Sequence, residues 1–135
     1  MQKMNLFTFQ RRIRHPFFPD LAAAPAEGAR GRSNALAGTF GELAQAAARG
    51  AEARRAVFVV TSEGGHLSDR ERNELWRLFQ VPVYALLLEP GGRVTAWECE
   101  AQTGLHVAKG GEESACACGR PGARVVRTMA AHAGD

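Results

Sequence analysis

The chain has few cysteines, no long apolar run and no strong charge of either sign. Three cysteines are an odd number, and two are separated by a single residue. That pattern does not fit a disulfide framework and points to a reducing compartment, the cytoplasm, with a metal to occupy the thiols. No apolar run approaches the ~18 residues of a membrane span. The basic N-terminus leads into no continuous apolar segment, so no secretory signal is expected. Seventeen basic against 14 acidic residues leave +3, too mild and too scattered to call for a specific nucleic-acid partner. There is no GxGxxG fingerprint, no Walker loop and no C-x-x-C pair.

What is present fits one small domain: 135 residues, 45% hydrophobic. The expected fold class is α/β, a small mixed sheet with a strand–helix–strand core and a zinc-stabilised C-terminal loop region. The division expected is an arm and connector over 1–33, the α/β domain over 34–128 and a flexible tail over 129–135. In the arm, Leu6, Phe7, Phe9, Ile13, Phe17 and Phe18 are apolar among Lys3, Arg11, Arg12, Arg14 and His15. They suit burial against the domain or a partner subunit, with an anion- or membrane-surface role as the other reading. Residues 21–34 read as a flexible connector, and a helix is expected near Asn34–Arg49, capped by Ser33 or Asn34.

AVFVVT, Ala56–Thr61, is a β-branched run without clean alternation, hence a buried strand. Ser68-Asp69-Arg70-Glu71 is a capping box opening a helix whose inward face is Leu75, Leu78 and Phe79, with Trp76 at its margin. Val81–Leu88 is the second strand, and parallel pairing through the helix follows. Pro90-Gly91-Gly92 turns the chain into an antiparallel strand, and Leu105–Ala108 and Ala123–Thr128 supply two more.

The sharpest chemical signal is C-x6-H-x9-C-x-C: Cys99, His106, Cys116 and Cys118. Three thiolates and an imidazole complete a tetrahedral Zn2+ shell, and residues 109–123 are too poor in apolar side chains to order themselves. Reduced, partly buried cysteines without metal are the competing reading, and a redox or nucleophilic role is a third. Four protein ligands leave no open position for water, so the ion would hold structure rather than hydrolyse. His66 follows the Glu63-Gly64-Gly65 turn at a strand end, where α/β proteins bind ligands, although a helix-entry histidine is the plainer reading. His15 and His132 join no triad. Glu98 and Glu100, two apart on a strand, should share a face as solvated carboxylates.

Ala56–Val107, with VFVVTSEGGHLSDRERNELWRLFQVPVYALLLEP and AWECEAQTGLHV, followed by CACGRPGARV, resembles a section of the phenylacetate–coenzyme A ligase and coenzyme F390 synthetase branch of adenylate-forming enzymes. The resemblance implies a nucleotide-bordering turn at Glu63, Gly64 and Gly65, and an adenylate motif carried by Tyr84 and Glu89. It also implies a metal-bearing insertion at Cys99, His106, Cys116 and Cys118. Ala85 stands where that motif has glycine, and Leu88 stands where it has the threonine whose hydroxyl contacts phosphate. The upstream phosphate loop and the domain bearing the catalytic lysine do not appear in this sequence. The expectation is therefore a non-catalytic zinc-binding accessory or interaction protein of that descent, forming a homo-oligomer or binding a protein partner. The alternative is a subunit of a split ligase that binds a nucleotide or acyl thioester.

Overall fold

The computed structural model describes residues 13–61, 67–102, 104–108, 112–113, 116, 118–120 and 123–125. Among them run β1 (Ile13–His15), β2 (Phe18–Pro25), β3 (Arg32–Gly38), α1 (Phe40–Ala48), β4 (Glu52–Thr61), α2 (Asp69–Phe79), β5 (Val83–Leu88), β6 (Val94–Trp97), β7 (Leu105–Val107), β8 (Glu112–Glu113) and β9 (Ala123–Val125). The spatial order is β1-β2-β3-β4-β5-β6-β7-β9-β8. The pairs from β2 to β5 are parallel, while β1–β2 and every pair from β5 onward are antiparallel. The expected mixed α/β class is what the chain forms.

Strand β4 lies between two parallel neighbours and is buried on both faces. Ala56, Phe58 and Val60 enter one layer, and Val57 and Val59 the other. This double burial is why its sequence does not alternate. The second layer holds both helices: Leu43 and Ala46 of α1 and Leu75 and Phe79 of α2 pack with Leu36, Val57, Val59 and Val83. Strands laid down in order 3-4-5 with crossovers of one hand put their helices on one side.

The opposite face is covered by the chain's own beginning. The sheet curls so that β1 approaches β6. Ile13, Phe17 and Phe18 then pack on Phe58, Tyr84, Leu86 and Trp97. Ile13, Phe17 and Phe18 are thus partly buried within the domain, while Leu6, Phe7 and Phe9 lie outside the described residues.

Three local expectations are corrected. Residues 13–15 and 18–25 are strands, so much of the described part of the stretch read as arm and connector belongs to the sheet. Residues 32–38 are β3 and not the first turns of a helix. Ala35, Leu36 and Ala37 are buried there, and α1 begins only at Phe40. The overlooked signal is a second capping box. Thr39 Oγ1 accepts from the Glu42 amide at 3.1 Å, and the Thr39 amide donates to Glu42 Oε1 at 3.0 Å. Gly38 precedes it because a Cβ there would lie 2.9 Å from Ala26 Cβ. Leu78 is the third correction, being 41% exposed beside Trp76 at 54%. The Ser68 box is as expected, with Glu71 N–H donating to Oγ at 3.1 Å.

The tail 129–135 lies outside the described residues, as do Glu63, Gly64, Gly65 and His66. Among the described residues no helix is long and apolar enough to cross a membrane.

Candidate metal centre

The β6–β7 pairing sets Trp97 opposite His106. Cys99 follows two residues after Trp97, so the same pairing carries a thiol to the imidazole. Cys99 begins a tight turn in which the Gln102 amide donates to the Cys99 carbonyl at 3.0 Å and Gln102 takes a left-handed φ of 56°. The turn aims the Ala101 N–H at Cys99 Sγ, 3.3 Å away. Cys116 and Cys118 lie on the segment before β9, which pairs with β7 and sets Arg124 opposite His106. Gly119, at φ 85°, closes a turn by donating to the Cys116 carbonyl at 2.9 Å. That conformation is open to glycine at no steric cost.

The ligand atoms of Cys99, His106, Cys116 and Cys118 all lie within 4.8 Å of one another. Cys99 Sγ and Cys116 Sγ are 3.5 Å apart, and Cys118 Sγ is 3.7 Å from His106 Nε2. A zinc tetrahedron with its usual bond lengths has S···S edges of about 3.8 Å and S···N edges of about 3.6 Å. These two edges agree within a few tenths of an ångström. Cys99 and His106 are buried, and Cys116 and Cys118 are half-buried. All three cysteines are free thiols. The residues therefore fit a metal ion of the zinc class. Cys99, His106, Cys116 and Cys118 would hold it, and it would supply a cross-link between β7 and the loop before β9.

Burial pushes the Cys99 thiol up to about 11, against an opposing pull from the Ala101 amide. A metal cation is the partner that would make this thiolate stable at neutral pH. Around the site the surroundings are aromatic. Phe17 meets the His106 ring edge-on at 4.6 Å, and Trp97 stacks near-parallel to it at 6.3 Å. Arg120 lies 4.6 Å above the Phe17 ring and bonds Glu100 at 2.8 Å. Glu100, and then Cys118, hold its guanidinium more firmly protonated than usual. It ties the loop to the N-terminal hairpin.

The structure thus brings the four sulfur and nitrogen ligands together. Of the expected nucleotide site only Tyr84 and Glu89 are among the described residues, and these two stand apart. Tyr84 is buried, its ring 5.4 Å from Phe18 and 6.0 Å from Phe58. Glu89 lies beyond the other end of β5, ion-paired to Arg93 Nε at 2.9 Å. Five residues along an extended strand separate the two by ~16 Å and point them to opposite faces.

Glu98 and Glu100 do not share a solvated role. Glu100 is exposed and bound to Arg120, whereas Glu98 is buried and gripped by Arg72 through both carboxylate oxygens, at 3.1 and 2.8 Å. The inward placement of each residue was readable in the sequence, but their pairing was not. Arg72 falls on the 72–75–79 inward stripe of α2, and Glu98 shares the inward parity of Ala96. His15 also has a defined place. Its Nδ1 accepts from the Phe17 amide at 3.0 Å, so Nε2 carries the proton and donates to the Glu98 carbonyl at 2.5 Å. Burial keeps this imidazole neutral by lowering its pKa.

No protein-family model matches the chain, and no curated protein matches it.

Proposed function

We propose that the chain is a non-catalytic metal-binding accessory or interaction protein whose Cys99, His106, Cys116 and Cys118 hold Zn2+ as a structural ion. The observation that carries this reading is the convergence of four ligand atoms within 4.8 Å from three separate segments of the chain. Three thiolates and one imidazole are a soft set suited to zinc and ill suited to magnesium or calcium. Because the protein supplies all four ligands, the reading assigns the ion no reacting water. Reduced thiols require a reducing compartment, and the cytoplasm is part of the proposal.

Descent from an acyl-adenylating enzyme belongs to the same proposal. It draws on the residue pattern of Ala56–Val107 and on the β4–α2–β5 order, which is the order that pattern implied. The interaction role draws on Trp76 and Leu78, which leave apolar surface exposed on α2. A protein partner or a second copy of the chain would bury it.

The test is elemental analysis of protein purified without chelator, with a thiol titration beside it. Near one zinc per chain and thiols that react only after chelation are expected. Metal-free protein whose three thiols react at once would overturn the assignment. Carboxylate-dependent ATP–pyrophosphate exchange by the purified chain would overturn its non-catalytic part.

A further inference from the structure

Every polar group of Glu98 is occupied. Its amide donates to the Ala85 carbonyl at 3.0 Å, and its carbonyl accepts from His15 Nε2 at 2.5 Å. Oε1 accepts from the Ala85 amide at 2.8 Å and from Arg72 Nη1 at 3.1 Å, and Oε2 accepts from Arg72 Nη2 at 2.8 Å. Arg72 is itself anchored, donating to the Val83 carbonyl at 2.9 Å. The groups converging on this residue come from the N-terminal hairpin, from α2 and from β5. The next residue in the chain is Cys99.

A buried ion pair is poor evidence of stability, because apolar side chains of similar volume commonly do as well. What a bidentate guanidinium–carboxylate pair does supply is a fixed direction. Here it fixes the peptide plane from which the Cys99 Cα–Cβ bond departs. Of the four ligands, Cys99 and His106 are buried, whereas Cys116 and Cys118 are half-buried on the segment before β9. The site thus divides into a half held by the sheet and a half carried by the loop.

We propose that Glu98 is the positioning residue of the metal centre: clamped by Arg72, Ala85 and His15, it presets Cys99 as the fixed ligand onto which the loop thiols close around the ion. The proposal rests on the reading of the cluster as a zinc site. It assigns Arg72, which holds the Glu98 carboxylate, a role in metal affinity without any contact to metal.

The experiment compares the full chain with Glu98→Gln, Arg72→Met, Arg72→Lys and a control, Leu43→Ala, in the helix layer. Zinc affinity is read by competition with a chelator on folded protein, and ligand geometry by the visible bands of the Co2+-substituted form. Removing an outer partner of a metal ligand commonly weakens affinity 10- to 100-fold. Glu98→Gln and Arg72→Met are expected to fall within about that range and to shift the Co2+ bands. Arg72→Lys, which keeps the charge but cannot span both oxygens, should fall between them and wild type. Leu43→Ala should lower the melting temperature and leave affinity and bands unchanged. If Glu98→Gln does not fold, the two Arg72 variants decide the matter. Wild-type affinity and bands in a folded Glu98 or Arg72 variant would overturn the positioning role and leave the zinc site standing. A wild-type chain that takes up neither zinc nor Co2+ would overturn both.

Discussion

Removing the metal should have an effect that is large in temperature and local in structure. A ligand that binds only the folded chain stabilises it by about 4 kcal/mol when free ligand stands at 1,000 times Kd. Unfolding entropy near 2.1 cal/mol/K per residue amounts to about 0.28 kcal/mol/K for 135 residues, so chelation should lower Tm by about 14 °C. The structure says where the loss falls. Strands β8 and β9 are two and three residues long, and among the described residues β8 pairs with β9 and β9 with β7. Strands β3 to β5 are longer and packed against both helices. Below the transition, hydrogen exchange should therefore speed at Ala123–Val125 and Leu105–Val107 on chelation and stay slow at Val57–Val60. The assay is a thermal melt followed by Trp97 fluorescence in a Trp76→Phe background, with and without chelator, on protein shown to carry metal. Trp97 stacks on His106 and so reports the site directly. Cys116→Ser without chelator should melt near the chelated wild type. A Tm that moves by less than about 2 °C, with unchanged exchange at β9, would refute the claim that the ion holds this end of the sheet.

Other outcomes follow from particular contacts. Gly38→Ala should cost about 1–3 kcal/mol in chemical denaturation, because the new Cβ meets Ala26 Cβ at 2.9 Å. Gly41→Ala, with open space around it in α1, should instead stabilise by about 0.5–1 kcal/mol. Leu75→Ala should cost about 2–5 kcal/mol, and Leu78→Ala much less, since Leu75 is wholly buried and Leu78 is 41% exposed. His15 should make stability depend on pH. Its folded pKa lies below the ordinary 6.5 through burial and the nearby Arg120 and His106, against the pull of the Glu98 carbonyl and Glu100. Below 6.5 the unfolded chain therefore binds a proton that the folded chain refuses. Stability is full above 6.5 and declines as pH falls, by at most about 1.4 kcal/mol per unit from this group. Urea melts between pH 7.5 and 5.5 should show a flatter slope for His15→Gln than for wild type, and equal slopes would dismiss the assignment.

Much of this was legible residue by residue. Ser68 and Glu71 announced α2, since a capping box is a local device closed within four residues. The β-branched run at Ala56–Thr61 announced a strand buried on both faces. The C-x6-H-x9-C-x-C spacing picked out the four residues whose side chains the fold brings within 4.8 Å, because three thiols and an imidazole so close in sequence suit one metal shell. The errors came where a local pattern had two solutions. Leu36, Phe40 and Leu43 have helical spacing, yet Leu36 belongs to β3 and Leu43 to α1. Both reach the same layer because strand and helix pack face to face. Thr39-x-x-Glu42 marked the true boundary and was the better guide.

The sequence by itself determined the start of α2, the buried central strand and the four members of the Cys/His cluster, because each rests on chemistry within a few neighbouring residues. Only the tertiary structure decided that the first described strands turn back over the sheet, that Glu98 is buried on Arg72, and that His15 closes on its carbonyl. Those contacts join residues 26 and 83 positions apart. Such pairings depend on how the sheet curls, and no local residue pattern encodes that curl.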